Sequence, residues 1–340
     1  MNTRNATAQP IETLPGATSR TPARKRNIVA IAVLAGLAAL LVLPLIIVER
    51  FALTISIMVF ITAIAAASLH LIIRTGHISL GHAAFMGIGA YVSAYTTMKL
   101  GVPFGLAIVL AFAAPAALAL IIGPLVLRLT GKYFVLVTFL LGEIIRMIFV
   151  EWGSVTGGGN GIFGVPAPSP VFLEPMAFYY LALGFAILII GFIARILTSE
   201  VGRTMDAVRE SEQLAKCSGV PVLWLKVTIF ALGCGLAGIA GALQGHFLRY
   251  IDPTSFSIIQ SLNLVVMNVI GGMYTLIGPL IGTVFLVVLP ELLRGYVELQ
   301  RILFGIIIIL VMAFFPGGLA DFGRKAVAGL GKRMKARGQP

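Results

Sequence analysis

Residues 51–73 read Phe51-Ala-Leu-Thr-Ile-Ser-Ile-Met-Val-Phe-Ile-Thr-Ala-Ile-Ala-Ala-Ala-Ser-Leu-His-Leu-Ile-Ile73, with no Asp, Glu, Lys or Arg among them. A helix needs about 20 consecutive apolar residues to cross the hydrocarbon core of a bilayer, and only a helix satisfies its own backbone in a run of this kind. The pattern recurs along the chain. Apolar runs bounded by charge, Pro or Gly lie at 27–48, 51–73, 78–98, 104–127, 133–150, 177–198, 225–247, 257–273, 276–294 and 300–316. The 340 residues are 59% hydrophobic and 11% charged, with mean hydropathy +1.01. A soluble domain has about 45–50% apolar and about 25% charged residues, so a water-exposed globule and a disordered chain are both excluded. The 38 Gly show no three-residue period and there are two Cys, which removes collagen-like and disulfide-stapled chains. The expected fold is all-α and polytopic, with about ten transmembrane helices.

The net charge of +12 is a signal of topology. Five Lys and Arg against Glu12 in residues 1–26, and six against Asp321 in residues 321–340, place nine of the twelve net charges in two basic tails. Basic flanks stay on the cytoplasmic side, where anionic lipid attracts them. With ten crossings and both termini cytoplasmic, eighteen Lys and Arg fall inside and five outside. No alternation of Arg with aromatic residues suggests base stacking, so nucleic acid is not expected as a partner and membrane lipid is. A basic stretch followed by an apolar run resembles a signal peptide, but the run reaches Val48 and continues into Glu49-Arg50-Phe51, which is no small-residue cleavage site. It reads as a retained first span.

The expected organisation is a polar tail at 1–26, a membrane domain at 27–320 and a second tail at 321–340. Runs 78–98 and 257–273 are the least regular: the first opens on His77, Ser79, Gly81 and His82, and the second holds Gln260, Asn263 and Asn268. Either fits a broken or re-entrant segment lining a cavity. Runs two to five and seven to ten would have opposite topology, the plan of an inverted repeat. An external loop at 151–176 is rich in Gly and Pro and reads either as a flexible connector or as a receiving surface for substrate.

The internal loop at 199–224 is the most informative. Its centre, Gly202-Arg-Thr-Met-Asp-Ala-Val-Arg-Glu-Ser-Glu-Gln-Leu-Ala-Lys-Cys-Ser-Gly219, supports a short helix by pairing Asp206 with Arg209 and Glu212 with Lys216. Met205, Val208 and Ala215 share one side, and Gly219 with Pro221 ends the element. Two readings stand together: a solvated connector, or a helix that docks on a soluble partner through Met205 and Val208, with Arg203, Arg209 and Glu210 as polar rim.

Four segments then carry a family resemblance: Arg74-Thr-Gly-His-Ile-Ser-Leu-Gly-His-Ala-Ala-Phe-Met-Gly-Ile-Gly-Ala-Tyr91; Thr156-Gly-Gly-Gly-Asn-Gly161 with Gly164-Val-Pro166; the internal loop; and Gly238-Ile-Ala-Gly-Ala-Leu243. In order and spacing, from about residue 51 to 323, the chain resembles the LivM-type permeases of branched-chain amino acid ABC transporters. The resemblance implies inward transport across the bacterial inner membrane. It also implies a homologous second permease subunit, two cytoplasmic ATPase subunits and an external, periplasmic solute-binding protein. The loop from Gly202 to Gly219 would be the segment that seats on the ATPase. Branched-chain or other hydrophobic amino acids are the implied substrates, with urea, short amides or aromatic acids as alternatives in the same family.

The remaining motifs are modest. Gly131-Lys132 continues to Tyr133 and has Val126 where a phosphate loop needs glycine, so nucleotide is expected on separate chains. Gly233, Ala237, Gly241 and Gly245 recur every four residues and Gly278 with Gly282 repeats the spacing, a pattern that lets helices approach closely in lipid. His77 and His82 are five apart without a third ligand, Cys217 and Cys234 form no motif, and no hydrolytic triad is present, so no metal, cofactor or catalytic site is expected. Asn263 and Asn268, like His77, Ser79 and His82, fit either the translocation path or polar glue between helices. Glu143 and Arg146, three apart within a span, are suited to neutralise each other. In an ion-coupled secondary transporter, the competing class, Glu143 or a histidine would couple to protons.

Overall fold

The computed structural model describes residues 49–293 continuously, with positions 36, 40–42 and 44 before them and part of 302–319 after. The tails at 1–26 and 321–340 lie outside the described residues, as do most of the runs at 27–48 and 300–316. Contacts divide the chain into units 1–47 and 48–340. The second unit holds the helices.

Its helices are α1 (Arg50–Ile73), α2 (His82–Lys99), α3 (Phe104–Val126), α4 (Lys132–Glu151), the single turn α5 (Gly153–Thr156), α6 (Pro175–Leu197), α7 (Glu200–Glu210), α8 (Glu212–Cys217), α9 (Val222–Leu248), α10 (Ile258–Gly271) and α11 (Ile277–Leu292). Their limits follow from the backbone. Pro103 and Pro175 stand at the starts of α3 and α6, where a missing N–H costs nothing. Arg249 in the left-handed region closes α9, and Gly272 at φ 113° closes α10.

Among the described residues five helices are long and apolar enough to cross a membrane: α1, α3, α4, α6 and α9. That accounts for five of the ten crossings expected from the runs, the first and last of which lie mostly outside the described residues. Helix α10 has 14 residues and α11 has 16. At 1.5 Å per residue these reach about 21 and 24 Å, short of the roughly 30 Å hydrocarbon core. The run at 78–98 becomes helical only at His82, because Gly76 turns the chain through φ 86° and residues 77–81 continue without helix.

Helices α1 and α9 form the centre and are mostly buried, whereas α3, α4 and α6 each expose an apolar face. Helix α9 packs on α1, α2 and α3. An aromatic core joins α2, α4 and α9 through edge-on contacts of Phe85 with Phe230 at 5.7 Å and Phe134 with Phe230 at 6.3 Å. Where α9 crosses α3, Gly238 lies against the carbonyl of Ala111. That carbonyl sits four residues before Pro115, which has no N–H to offer it, so the crossing falls where α3 lacks a helical hydrogen bond. A Cβ on Gly238 would overlap the Ala111 oxygen.

The loop after α4, at 157–166, is tied to the end of α9. Strand β1 (Ile162–Phe163) pairs antiparallel with β2 (Tyr250–Ile251), Ile162 facing Ile251 and Phe163 facing Tyr250. Phe163 stacks on Tyr250 at 4.3 Å, and the Tyr250 hydroxyl donates to Asn160 O at 3.1 Å. His246 bridges its Nδ1 to Pro166 O and its Nε2 to Ser93 Oγ, each at 2.7 Å. A free connector does not describe this segment.

Candidate functional site

Helices α7 and α8 form a hairpin between α6 and α9. Gly202 permits the turn from α6, since a Cβ there would overlap the Leu197 carbonyl. Ser211 divides the two helices and caps α8, its Oγ accepting from Leu214 N at 3.3 Å. Gly219 at φ 81° closes the hairpin.

The stripe expected to face a partner faces the chain itself. Met205 is 0% exposed and Val208 3%, and Val208 packs with Ala215 and Val222 in a small core that Val220 and Leu225 flank. Met205 and Val208 are thus internal supports, and their role as external anchors is corrected: a common helical face shows which residues cluster but not what covers them. The exposed apolar groups are Leu214 at 69%, Trp224 at 62% and Val201. Arg203 and Glu210 are exposed as well, with Arg203 paired to Glu200.

Two charged ties hold the hairpin. At one, Arg74 after α1 sets Nη2 2.5 Å from Asp206 Oδ2 and donates from Nη1 to Tyr274 O at 2.9 Å. Arg209 lies over the Tyr274 ring at 5.2 Å. The expected pairing of Asp206 with Arg209 is replaced by these longer-range contacts. At the other tie, Glu212 accepts from Lys216 at 2.9 Å, as its spacing predicts, and from Lys226 at 2.7 Å. Lys226 is 3% exposed, so that carboxylate is what compensates its burial. Burial alone would raise the Glu212 pKa, but the hydrogen bonds from the two lysines overcome it and hold the carboxyl down to about 2. The sequence signal for Lys226 was a lone cation inside an apolar run. Its partner was not legible.

Deeper in the molecule, polar groups gather around the start of α2. Ser68 donates to Ala65 O at 2.8 Å and lies 2.8 Å from His82 Nε2. Leu80 N donates to Thr138 Oγ1 at 3.2 Å and Ala83 N to Ser261 Oγ at 3.0 Å, so a hydroxyl of α10 caps α2 and one of α4 holds the chain just before it. Ser79 is fully buried and its Oγ has no protein partner. His77 meets Phe134 edge-on at 4.8 Å, and burial, with Lys226 nearby, lowers its pKa to about 4. Asn268 donates to Ala66 O at 3.0 Å and Leu264 O at 2.9 Å, joining α10 to α1, whereas Asn263 is only half-buried. Among the described residues no three His, Cys, Asp or Glu side chains converge.

The small residues lie at helix contacts within this chain. Gly233 faces Ile72, Gly241 the Met86 carbonyl and Gly245 Ile251, while Ala237 is fully buried. Gly278 meets the Gly272 carbonyl and Gly282 that of Met267, closing α11 onto α10. On α4, Arg146 Nε donates to Glu143 Oε1 at 2.9 Å, and both side chains are partly exposed.

Long apolar helices around a buried pair, with a charge-pinned hairpin between two of them, belong to the class of polytopic helical permeases. The chain is a member of the family described as branched-chain amino acid transport system / permease component, which matches residues 51–312. It is 30% identical over 304 residues to the high-affinity branched-chain amino acid transport system permease protein LivM of Salmonella typhimurium, covering 82% of this chain and 72% of that protein. The corresponding protein of Escherichia coli is 29% identical over 276 residues, covering 74% of this chain and 65% of its own length. A probable branched-chain amino acid transport permease protein LivM of Methanocaldococcus jannaschii is 24% identical over 212 residues, covering 56% and 61%. These relatives are transport proteins and not enzymes. No solved structure matches the chain.

Proposed function

We propose that the chain is one membrane-spanning permease subunit of an ABC importer that carries branched-chain or other hydrophobic amino acids inward by alternating access. The observation that supports this most directly is the hairpin α7–α8, which is tied at one end to α1 and the α10–α11 turn and at the other to α9. An element fixed in this way passes displacement to the helices it is tied to, as coupling to a separate ATPase requires. Its docking face consists of Val201, Leu214 and Trp224, with Arg203 and Glu210 as rim. The complex contains a homologous permease, two ATPases on the cytoplasmic side and a periplasmic binding protein, and it resides in the bacterial inner membrane. Both termini are cytoplasmic and the hairpin lies on that side.

The test is reconstitution in liposomes. The complete five-subunit assembly should accumulate leucine only with ATP, whereas this subunit alone should show neither hydrolysis nor uphill uptake. Uptake by the subunit alone under a proton gradient would establish the secondary-transporter class instead. Reporter fusions at Gly159 and Ser211 should report opposite sides of the membrane, and the same side for both would break the topology.

A further inference from the structure

The Glu143–Arg146 pair has a placement that neutralisation alone does not explain. Glu143 lies eleven residues from the start of α4 and eight from its end, about 16 and 12 Å along the axis. It is therefore near the middle of a membrane-crossing helix, and its side chain is 33% exposed, with that of Arg146 at 25%. Charge at this depth is costly against lipid, and intramembrane ionisable groups face a bundle interior or a polar cavity. Beside the pair, Leu136, Leu140, Ile144 and Met147 form an exposed apolar stripe on the same helix. On its other side, Glu143 borders a narrow crevice, too tight to hold a water, that Ser257 and Ser261 at the start of α10 also line.

We propose that Glu143 and Arg146 bind the charged head of a zwitterionic amino acid on the substrate route, the carboxylate of Glu143 taking the ammonium and the guanidinium of Arg146 the carboxylate. Opposite charges three residues apart on a helix are neighbours, and they match a ligand whose ammonium and carboxylate are carried on one carbon. Both protein groups are ion-paired while the site is empty, and the ligand replaces each partner with one of the same sign. The apolar stripe next to the pair then receives the hydrocarbon side chain, which suits a branched-chain substrate. The proposal rests on the importer reading above.

The experiment uses the complete assembly in proteoliposomes with labelled leucine. Glu143→Gln and Arg146→Gln should each lower the uptake rate at least tenfold while co-purification with the second permease persists. The double variant should do no better than the weaker single one. A pair that only neutralises itself predicts the reverse, since removing both charges leaves none uncompensated, so wild-type uptake by the double variant would overturn the proposal. A second measurement does not disturb the pair. With Cys217 and Cys234 replaced, Met147→Cys should react with a membrane-impermeant thiol reagent and be protected by leucine, whereas Leu125→Cys on the exposed face of α3 should not react. Equal inertness of the two cysteines would overturn the site even if the charge variants failed to assemble. Absence of leucine uptake by the wild-type assembly would defeat the importer reading itself, a result distinct from either.

Discussion

Replacing Lys226 by Met should loosen the hairpin without unfolding the membrane domain. The Lys226 ammonium is 3% exposed and 2.7 Å from Glu212, which is itself 31% exposed and also bonded to Lys216. Breaking a buried pair by removing one partner costs about 3–5 kcal/mol when the other charge is left alone. Here the remaining carboxylate keeps Lys216 and part of its hydration, so the expected cost is nearer about 2 kcal/mol. That energy acts on local opening of α8, whose closing hydrogen bonds run from Ala215 N to Ser211 O, Ser218 N to Leu214 O and Val220 N to Ala215 O. At about 1.4 kcal/mol per factor of ten, those amides should exchange with solvent about 30-fold faster, with little change in α9. Hydrogen exchange of the subunit in nanodiscs measures this. Lys216→Ala, at a lysine 58% exposed, is the control and should shift the same amides less than about threefold. Equal exchange in the Lys226→Met and parent proteins would show that the tie does not hold the hairpin.

Changing both Leu214 and Trp224 to Ser should reduce co-purification with the ATPases at least tenfold, while Met205→Ala with Val208→Ala should instead lower the thermal midpoint of the subunit, since those two are buried. The depressed pKa of Glu212 makes its contribution to hairpin stability complete above the unfolded carboxyl value near 4.5 and progressively lost as pH falls toward about 2; a spin label on exposed Cys217 should gain mobility over that window and not above it. Gly241→Ala should destabilise the helix pair by about 1–3 kcal/mol, because the added methyl overlaps the Met86 carbonyl, whereas Gly184→Ala, which meets nothing, should leave the thermal midpoint within a degree or two.

What the sequence disclosed was what lies within one helix or one loop. The five long helices coincide closely with apolar runs, and the hairpin falls inside the loop marked by its charge pairs and by Gly219. What it withheld was the identity of partners far along the chain. Periodicity grouped Met205 with Val208 but could not show that Val222 would cover that side. Asp206 had a basic neighbour three residues away, yet it pairs with Arg74, 132 residues distant. The start of α2 is held by Ser261 and Thr138 of two other helices, whose hydroxyls accept from Ala83 N within it and from Leu80 N just before it. His246 drew no notice as one histidine in an apolar run, and its role appears only when Pro166 and Ser93 come beside it.

The two attachments of α9 have a mechanical consequence. Its 27 residues make a rod about 40 Å long. At one end His246 and the β1–β2 bridge grip the glycine loop, and at the other Lys226 grips the hairpin. The rod therefore has a handle at each end. A load placed on the glycine loop and a load placed on the hairpin act on the same helix, so a push felt at one of its ends is felt at the other without any change of secondary structure between them.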